Sequence, residues 1–592
     1  MALTFLDWLI ILLFFAVSLA IGVYAAKSSG KSAADFFLSG RNMPWWLLGV
    51  SMVATTFACD TPQLVTDIVR QNGVSGNWAW WAFLLTGMLT VFVYAKLWRR
   101  SKVMTDLEFY ELRYSGRMAS FLRGFRAIYL GVFFNVMVMA AVCLAMTKIS
   151  AIMLQWSPAQ TLLILLSITA VYSTLGGLKG ILLTDFFQFI FAMVGSVGAA
   201  LYIINLNEVG GLNTLLEHSE VQAKMSVLPN FSDTDALVTL LVLPLAVQWW
   251  SVWYPGAEPG GGGYIAQRML SAKTEQHAVW ATLLFNVTHY AIRPWPWILV
   301  ALASLVVYPD LQSIREAFPE IAATNPDMIR DDFAYPAMLK FLPSGFLGVV
   351  VASLIAAFMS TISTQVNWGA SYLVNDFYQR FIKPEASQQE LVAAGRIITV
   401  GLLVVTSLMA LLLSNALQAF NILLQIGAGT GLIFILRWFW WRINAYTELS
   451  AMLISFAVAL YLEVLHPQLD LPALGTGLKL IIGIVVTTSG WLLVTFLTRP
   501  TDTSTLERFC ALVKPGGPGW RKITGYQAAT GRTWDVPTGI LAMLLGCLAV
   551  YTALFAVGNL IYGELFLGAT LGGVSLVASV VLLKLLKNIK FE

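Results

Sequence analysis

Ala58-Cys59-Asp60-Thr61-Pro62 sets a carboxylate and a proline in the middle of an apolar run of membrane-spanning length, near 45–68. Proline lacks the N–H that an interior helical position donates, so it removes a helical hydrogen bond and frees carbonyls upstream. A carboxylate at that depth needs its own explanation. Further along, Trp253-Tyr254-Pro255-Gly256-Ala257-Glu258-Pro259 runs into Gly260-Gly261-Gly262-Gly263, a composition that hardly continues as helix. The bland reading of both is a kink, which leaves Asp60 and Glu258 unaccounted for.

The spans around these two interruptions give them meaning. The chain has 592 residues, 58% hydrophobic and 11% charged, whereas soluble domains carry about 25% charged residues; it reads as a polytopic membrane protein. Runs of roughly 20 apolar residues fall near 5–25, 45–68, 78–98, 125–147, 160–176, 181–204, 236–258, 281–307, 344–374, 392–413, 417–440, 448–466, 476–497, 538–560 and 565–585. The broken spans are the second and the seventh of the fifteen. An odd offset of five makes the second copy enter from the opposite side, the arithmetic of an inverted repeat with spans 2–6 and 7–11 as halves, and broken helices at matching positions point to a midplane site. The expected fold class is an all-α polytopic membrane protein of about 15 transmembrane helices, a 5+5 inverted-repeat core with one helix before it and about four peripheral helices after it. The segments are 1–43 (first helix and inside loop), 44–205 (first repeat), 206–235 (outside loop), 236–442 (second repeat) and 443–592 (peripheral helices, with an inside loop at 498–537).

Basic residues test this topology independently. With the N-terminus outside and the C-terminus inside, 28 of the 36 lysines and arginines fall in or beside inside loops; Arg70, Lys148, Lys224, Arg315, Arg330, Lys340 and Lys479 lie outside, and Arg293 falls within a span. The net charge of +4 then reflects topology and calls for no nucleic acid. The first span lacks a basic leader and begins with Asp7, so it reads as a retained helix in a plasma membrane protein, in a bacterium the inner membrane. Outside loops 206–235 and 309–343 are acidic, Asp331 and Asp332 among them, and read as solvated surface. Cys59, Cys143, Cys510 and Cys547 are scattered without disulfide or metal spacing, and His289, alone in a span, reads as a packing residue. A membrane enzyme would need a convergent His/Asp/Glu cluster, and a sensor an attached domain, whereas the sequence stops at Glu592 after the last span.

In the ninth span, Ile355-Ala356-Ala357-Phe358-Met359-Ser360-Thr361-Ile362-Ser363-Thr364 carries four hydroxyls without a carboxylate or amine beside them. Helical spacing puts Ser360, Ser363 and Thr364 on one face and Thr361 next round. Such a helix offers oxygen to two neighbouring cations, or its hydroxyls simply bond carbonyls a turn back and glue helices together.

Ala34-Asp35-Phe36-Phe37-Leu38-Ser39-Gly40-Arg41-Asn42-Met43-Pro44-Trp45-Trp46 resembles the loop and second span of the sodium:solute symporter family. Tyr172-Ser173-Thr174-Leu175-Gly176-Gly177-Leu178, Thr184-Asp185-Phe186-Phe187-Gln188 and Tyr264-Ile265-Ala266-Gln267-Arg268-Met269-Leu270-Ser271-Ala272-Lys273 agree in order. The resemblance implies the leucine-transporter-type inverted-repeat fold and sodium-driven import of sugars, amino acids, carboxylates or vitamins. It places a first sodium site on the carbonyls of Ala54, Phe57 and Ala357 and the hydroxyls of Ser360 and Thr361. As in the bacterial sialic acid symporter, a second would lie on Asp185, Ser360, Ser363 and Thr364, hydroxyls that the sodium/galactose member partly lacks. Asp185 also reads as a helix N-terminal carboxylate after Gly180.

The family's sugar-binding set is not reproduced. Asp60, Thr61, Gln248, Trp250, Trp253, Tyr254, Glu258, Arg293, Asn421 and Gln425 are the candidate solute contacts, the aromatic faces being suited to a sugar ring or a cation. Arg293 either pairs internally with Asp60 or Glu258 or holds a substrate carboxylate. The expectation is a sodium-coupled symporter of a small polar organic solute, a sugar or polyol first and a carboxylate or amino acid second, with two sodium ions per cycle, no organic cofactor and a monomeric functional unit in the lipid bilayer. A proton-coupled carrier is the competing reading, with Asp60, Asp185 and Glu258 as relay.

Overall fold

The computed structural model describes residues 3–29, 31–252, 258–324, 326–412, 429–469, 471–525, 534–587, 589 and 591. Among these the chain is helical throughout, without a strand, apart from a single bridge between Met43 and Ala272. Eleven helices are long and apolar enough to cross a membrane. The elements that build the interior are α1 (Phe5–Ser29), α2 (Trp45–Thr56), α3 (Thr61–Asn72), α4 (Val74–Ser101), α5 (Gly116–Met153), α6 (Pro158–Ile204), α7 (Thr234–Ala246), α8 (Gly263–Ser271), α9 (Glu275–Val307), α10 (Ala334–Leu339) and α11 (Phe346–Ile382). Around and after them come α12 (Gln388–Leu412), α13 (Gly429–Phe439), α14 (Ala445–Gln468), α15 (Gly477–Leu497), α16 (Val536–Ile561) and α17 (Leu565–Leu586).

Helix α11 is the axis. Its residues from Val350 to Ser371 are all buried, which for an apolar helix means it is surrounded by other helices rather than by lipid. It packs on α6, α1, α5, α12 and α2. At its start, the Gly345 and Gly348 N–H groups donate to one oxygen of Asp7 (2.7 and 2.8 Å), so the carboxylate at the head of α1 satisfies donors that a helix N-terminus leaves without intrahelical partners. By contrast α17 is mostly exposed along its length, with Phe566, Leu576 and Val577 open, the surface of a helix meant for lipid.

The second span is broken where the sequence placed the break, but proline is not the cause of it. Helix α2 ends at Thr56, and Phe57 (φ −92°, ψ 78°) leaves helical geometry while its N–H still bonds the Val53 and Ala54 carbonyls. Pro62 sits in the first turn of α3, where a missing N–H costs nothing and a fixed φ suits the helix start. Residues 160–176 and 181–204, expected as separate spans, are the two helical halves of α6, and helical geometry is interrupted between them at Gly177. Gly177 has φ +52°, and a Cβ there would come within 2.8 Å of the Phe36 carbonyl, so only glycine allows this bend against the loop. Asp185 lies two turns beyond the bend inside the helix, so the N-terminal-dipole reading does not apply.

The acidic loop 309–343 keeps Asp310, Glu316, Glu320 and Asp327 on the surface, but Asp331 and Asp332 are engaged in ion pairs. Asp331 takes the Arg70 Nε–H (2.8 Å) and Asp332 the Lys148 ammonium (2.7 Å), while the same arginine also donates to the Ser304 and Tyr308 carbonyls. These pairs tie the loop and α10 over α3 and α5. At the basic loops, Arg100 makes a bidentate pair with Glu275 (2.8 and 3.1 Å), Lys96 meets Asp535, and Arg123 bridges Glu111 and Asp376.

Candidate functional site

Three elements converge at the middle of α11: the end of α2, α6 beyond its bend, and the short helix α8. Ser360, Thr361, Ser363 and Thr364 are all buried, between 0 and 3% exposed. Thr361 Oγ1 donates to the Thr55 carbonyl (2.8 Å) and Thr55 Oγ1 donates to Thr364 Oγ1 (3.0 Å). The hydroxyls therefore do not merely bond back along their own helix; two of them lock onto the last turn before the break. Ser363 is the exception, donating to the Ser360 carbonyl (3.1 Å) as hydroxyls in membrane helices commonly do.

Asp185 completes the cluster. Ser360 Oγ donates to its Oδ1 (2.7 Å) and Ser51 Oγ to its Oδ2, and the carboxylate is wholly buried. A buried carboxylate needs charge as well as hydrogen bonds, and the charge comes from Arg268 of α8, whose Nη2 is 3.7 Å from Asp185 Oδ2. The same guanidinium donates to Ser51 Oγ (3.2 and 3.1 Å), Thr364 Oγ1 (2.7 Å) and Gln267 Oε1 (2.8 Å). Gln267 in turn donates to Asn367 Oδ1 and the Phe37 carbonyl (both 3.0 Å). Arg268, counted with the basic loop residues when topology was read from sequence, is thus fully buried in the core. Its place was missed along with those of Ser51, Thr55 and Gln267, although an intramembrane aspartate requires a cation nearby and Ser51 and Thr55 share a face at i, i+4.

Two of the expected first-site carbonyls, those of Ala54 and Phe57, lie at the break. Ala54 and Phe57 flank it, Ala357 lies on α11, and all three are buried; the carbonyl that Thr361 reaches is that of Thr55, one residue from Ala54. Hydroxyls and carbonyls without an added charge suit a monovalent hard cation.

The proposed solute contacts divide. Asp60 and Thr61 are half-buried at the break, and Asp60 lies within electrostatic reach of Arg293. Arg293 stacks over Phe57 and Trp297 (5.8 and 5.1 Å to the ring centres) and donates toward His289 Nε2 (3.4 Å), which gives His289 a packing role. Glu258 is buried facing Arg126 and Tyr372. Gln248 donates to the Ala79 carbonyl (2.8 Å). Trp250 is half-buried and packs on Leu480 and Ile484 of α15. Trp253, Tyr254, Asn421 and Gln425 lie outside the described residues. Thr56, not foreseen, shares a hydrogen bond with Tyr264 of α8 (2.9 Å) at the last residue of α2.

A model of the sodium:solute symporter family matches residues 36–455. The chain belongs to the sodium:solute symporter family. Among its relatives, a sodium/glucose cotransporter of Vibrio parahaemolyticus is 27% identical over 475 residues, covering 78% of this chain and 86% of the relative. A sodium/mannose cotransporter of Bos taurus is 26% identical over 500 residues (78% and 80% of the two chains), and a human sodium/myo-inositol cotransporter 25% over 512 (79% and 71%). The fold is that of a solved sodium-coupled sialic acid symporter in a substrate-bound outward-open state, with a TM-score of 0.63 at 18% identity over 84% of this chain and 99% of the other. This symporter is therefore a multi-pass membrane protein of the leucine-transporter type, and sodium-coupled transport of a small solute is its activity.

Proposed function

We propose that this symporter imports a sugar or polyol with two sodium ions per cycle, working as a monomer in the plasma membrane with its N-terminus outside. The single observation that carries the reading is the meeting of the α11 hydroxyls with the broken end of α2 on one side and Asp185 on the other. One cation is held by the carbonyls of Ala54, Phe57 and Ala357 with Ser360 and Thr361; the other by Asp185, Ser360, Ser363 and Thr364. Because the two sets share Ser360 and adjoin the break, ion binding fixes the ends of α2 and α3, and with them Asp60, Thr61 and Thr56, where the solute is read. The cotransporters of glucose, mannose and myo-inositol among the relatives support a polyhydroxylated cargo. The contact of Arg293 with the Phe57 and Trp297 rings beside Asp60 supports an internal role for this cation over capture of a substrate carboxylate.

Coupling follows from differential affinity: ion and solute each favour the same conformer, so each tightens the other by the same factor. The test is uptake into proteoliposomes under an imposed sodium gradient without a pH gradient, screening sugars, polyols, amino acids and carboxylates. Sodium-driven sugar or polyol uptake at two ions per solute is the expected result. Uptake that follows a proton gradient and ignores sodium would reject the ion assignment, and selective uptake of a carboxylate would reject the cargo.

A further inference from the structure

We propose that Arg268 is a tethered cation that alternates with sodium at Asp185, so that ion binding there requires the guanidinium to withdraw and ion release is assisted by its return. This rests on the assignment of Asp185 to a sodium site. The guanidinium takes up oxygen that a sodium ion would use: it donates to Thr364 Oγ1 at 2.7 Å and to Ser51 Oγ at 3.1 Å, and stands 3.7 Å from Asp185 Oδ2. Asp185 and Arg268 are both 0% exposed. One carboxylate balances one positive charge, and two cations within about 4 Å of each other in a water-poor interior repel strongly. A sodium ion seated against Asp185 and Thr364 would share their oxygens with a guanidinium that is already in contact with them.

The arginine has a means of moving. It is carried by α8, a nine-residue helix that follows Gly260 and Gly261 and opens on Gly263, all at positive φ (+87°, +69° and +51°), backbone conformations that glycine exchanges with others at little steric cost. Helix α8 also bears Tyr264, whose hydroxyl meets Thr56 at the α2 break, and Gln267, which holds Asn367 of α11. Withdrawal of Arg268 by movement of α8 is consequently felt at the break where the solute is read, and the exchange links the second ion to the cargo through one rigid element.

Sodium binding to the purified full-length protein, measured with radiolabelled sodium and by sodium-dependent thermal shift, tests this. Arg268→Gln removes the competing charge, so sodium should bind about fivefold tighter or more, while solute turnover slows because release loses its displacing cation. Arg268→Lys keeps the charge and should stay near the parent affinity. In an Asp185→Asn background the Arg268→Gln effect should vanish, which separates it from the first ion. Unchanged or weaker sodium binding in a folded Arg268→Gln protein overturns the proposal. Should that variant not fold, Ser51→Ala decides: it loosens one anchor of the arginine and must tighten sodium binding, and weakening overturns the proposal. A parent protein that binds no sodium rejects the ion site itself, whereas a parent that binds it and an Arg268→Gln protein that binds it no better rejects only the exchange.

Discussion

Thr361 shows how one hydroxyl serves two purposes. Its donation to the Thr55 carbonyl ties α11 to the end of α2, and in the proposed first ion site its oxygen is also a sodium ligand. Thr361→Val removes that oxygen at nearly constant volume, and sodium half-saturation of uptake should rise about tenfold, the worth of one ligand or hydrogen bond, while Thr361→Ser stays close to the parent; unaltered sodium dependence in the valine variant would sink the assignment. Asp185 is tied to more partners. Asp185→Asn leaves Arg268 buried without its carboxylate, and breaking such a pair costs about 3–5 kcal/mol, so a marked fall in melting temperature should accompany lost uptake. The Asp185→Asn/Arg268→Gln double variant should regain much of that stability and none of the activity. A double variant as unstable as the single one would show that the two groups are not energetically linked.

Among the elements, the two breaks in α2–α3 and α6 have different causes and respond differently to substitution. Pro62 occupies the first turn of α3, so Pro62→Ala should change stability by less than about 1 kcal/mol, against the ~3 kcal/mol expected of a proline buried within a helix. Gly177→Ala, with positive φ and the Phe36 carbonyl 2.8 Å from the new Cβ, should cost about 1–3 kcal/mol and alter the placing of Asp185 downstream. The melting temperatures of the two variants measure this directly, and a reversed order would contradict the geometry. The loop over α3 is an element held by charge: Asp331→Asn weakens the grip on Arg70, whose side chain is otherwise enclosed by the Ser304 and Tyr308 carbonyls. A cysteine probe placed on α3 should become more reactive toward a membrane-impermeant reagent in that variant, and no gain in labelling would count against a role in closing that side.

Across the whole molecule, the basic loops are stitched by ion pairs whose titration sets an acid limit. Burial raises the Glu111 carboxyl, but hydrogen bonds from Arg380, Ser120 and Arg123 outweigh it and hold it down at about 2. A depressed carboxyl contributes stability above its unfolded value, near 4.5, and loses it as pH falls toward about 2. Stability from this network should therefore be flat from pH 5 upward and decline below about 4.5, and Glu111→Gln should lower stability at neutral pH while flattening that acid limb. A thermal-melt series over pH reads both, and an unchanged acid limb in the variant would remove Glu111 from the account.

Periodicity and composition alone settled the membrane class, an interruption of the second span close to Asp60 and the hydroxyl spacing of α11, because a carboxylate inside an apolar run and hydroxyls at helical spacing have few physical outcomes in a bilayer; that the helix leaves its geometry at Phe57, ahead of Pro62, came from the fold. The family was legible too, in short runs around Phe36, Asp185 and Tyr264. Side chains far apart in the chain needed the fold: Arg268 looks like one more basic loop residue until α8 is folded into the core beside Asp185, and Asp331 looks like solvated acid until Arg70 is beneath it. Sequence fixes what each helix presents on its faces, whereas which charge neutralises which, and hence how the ion site is balanced, depends on distances of a few ångströms between helices that only packing sets.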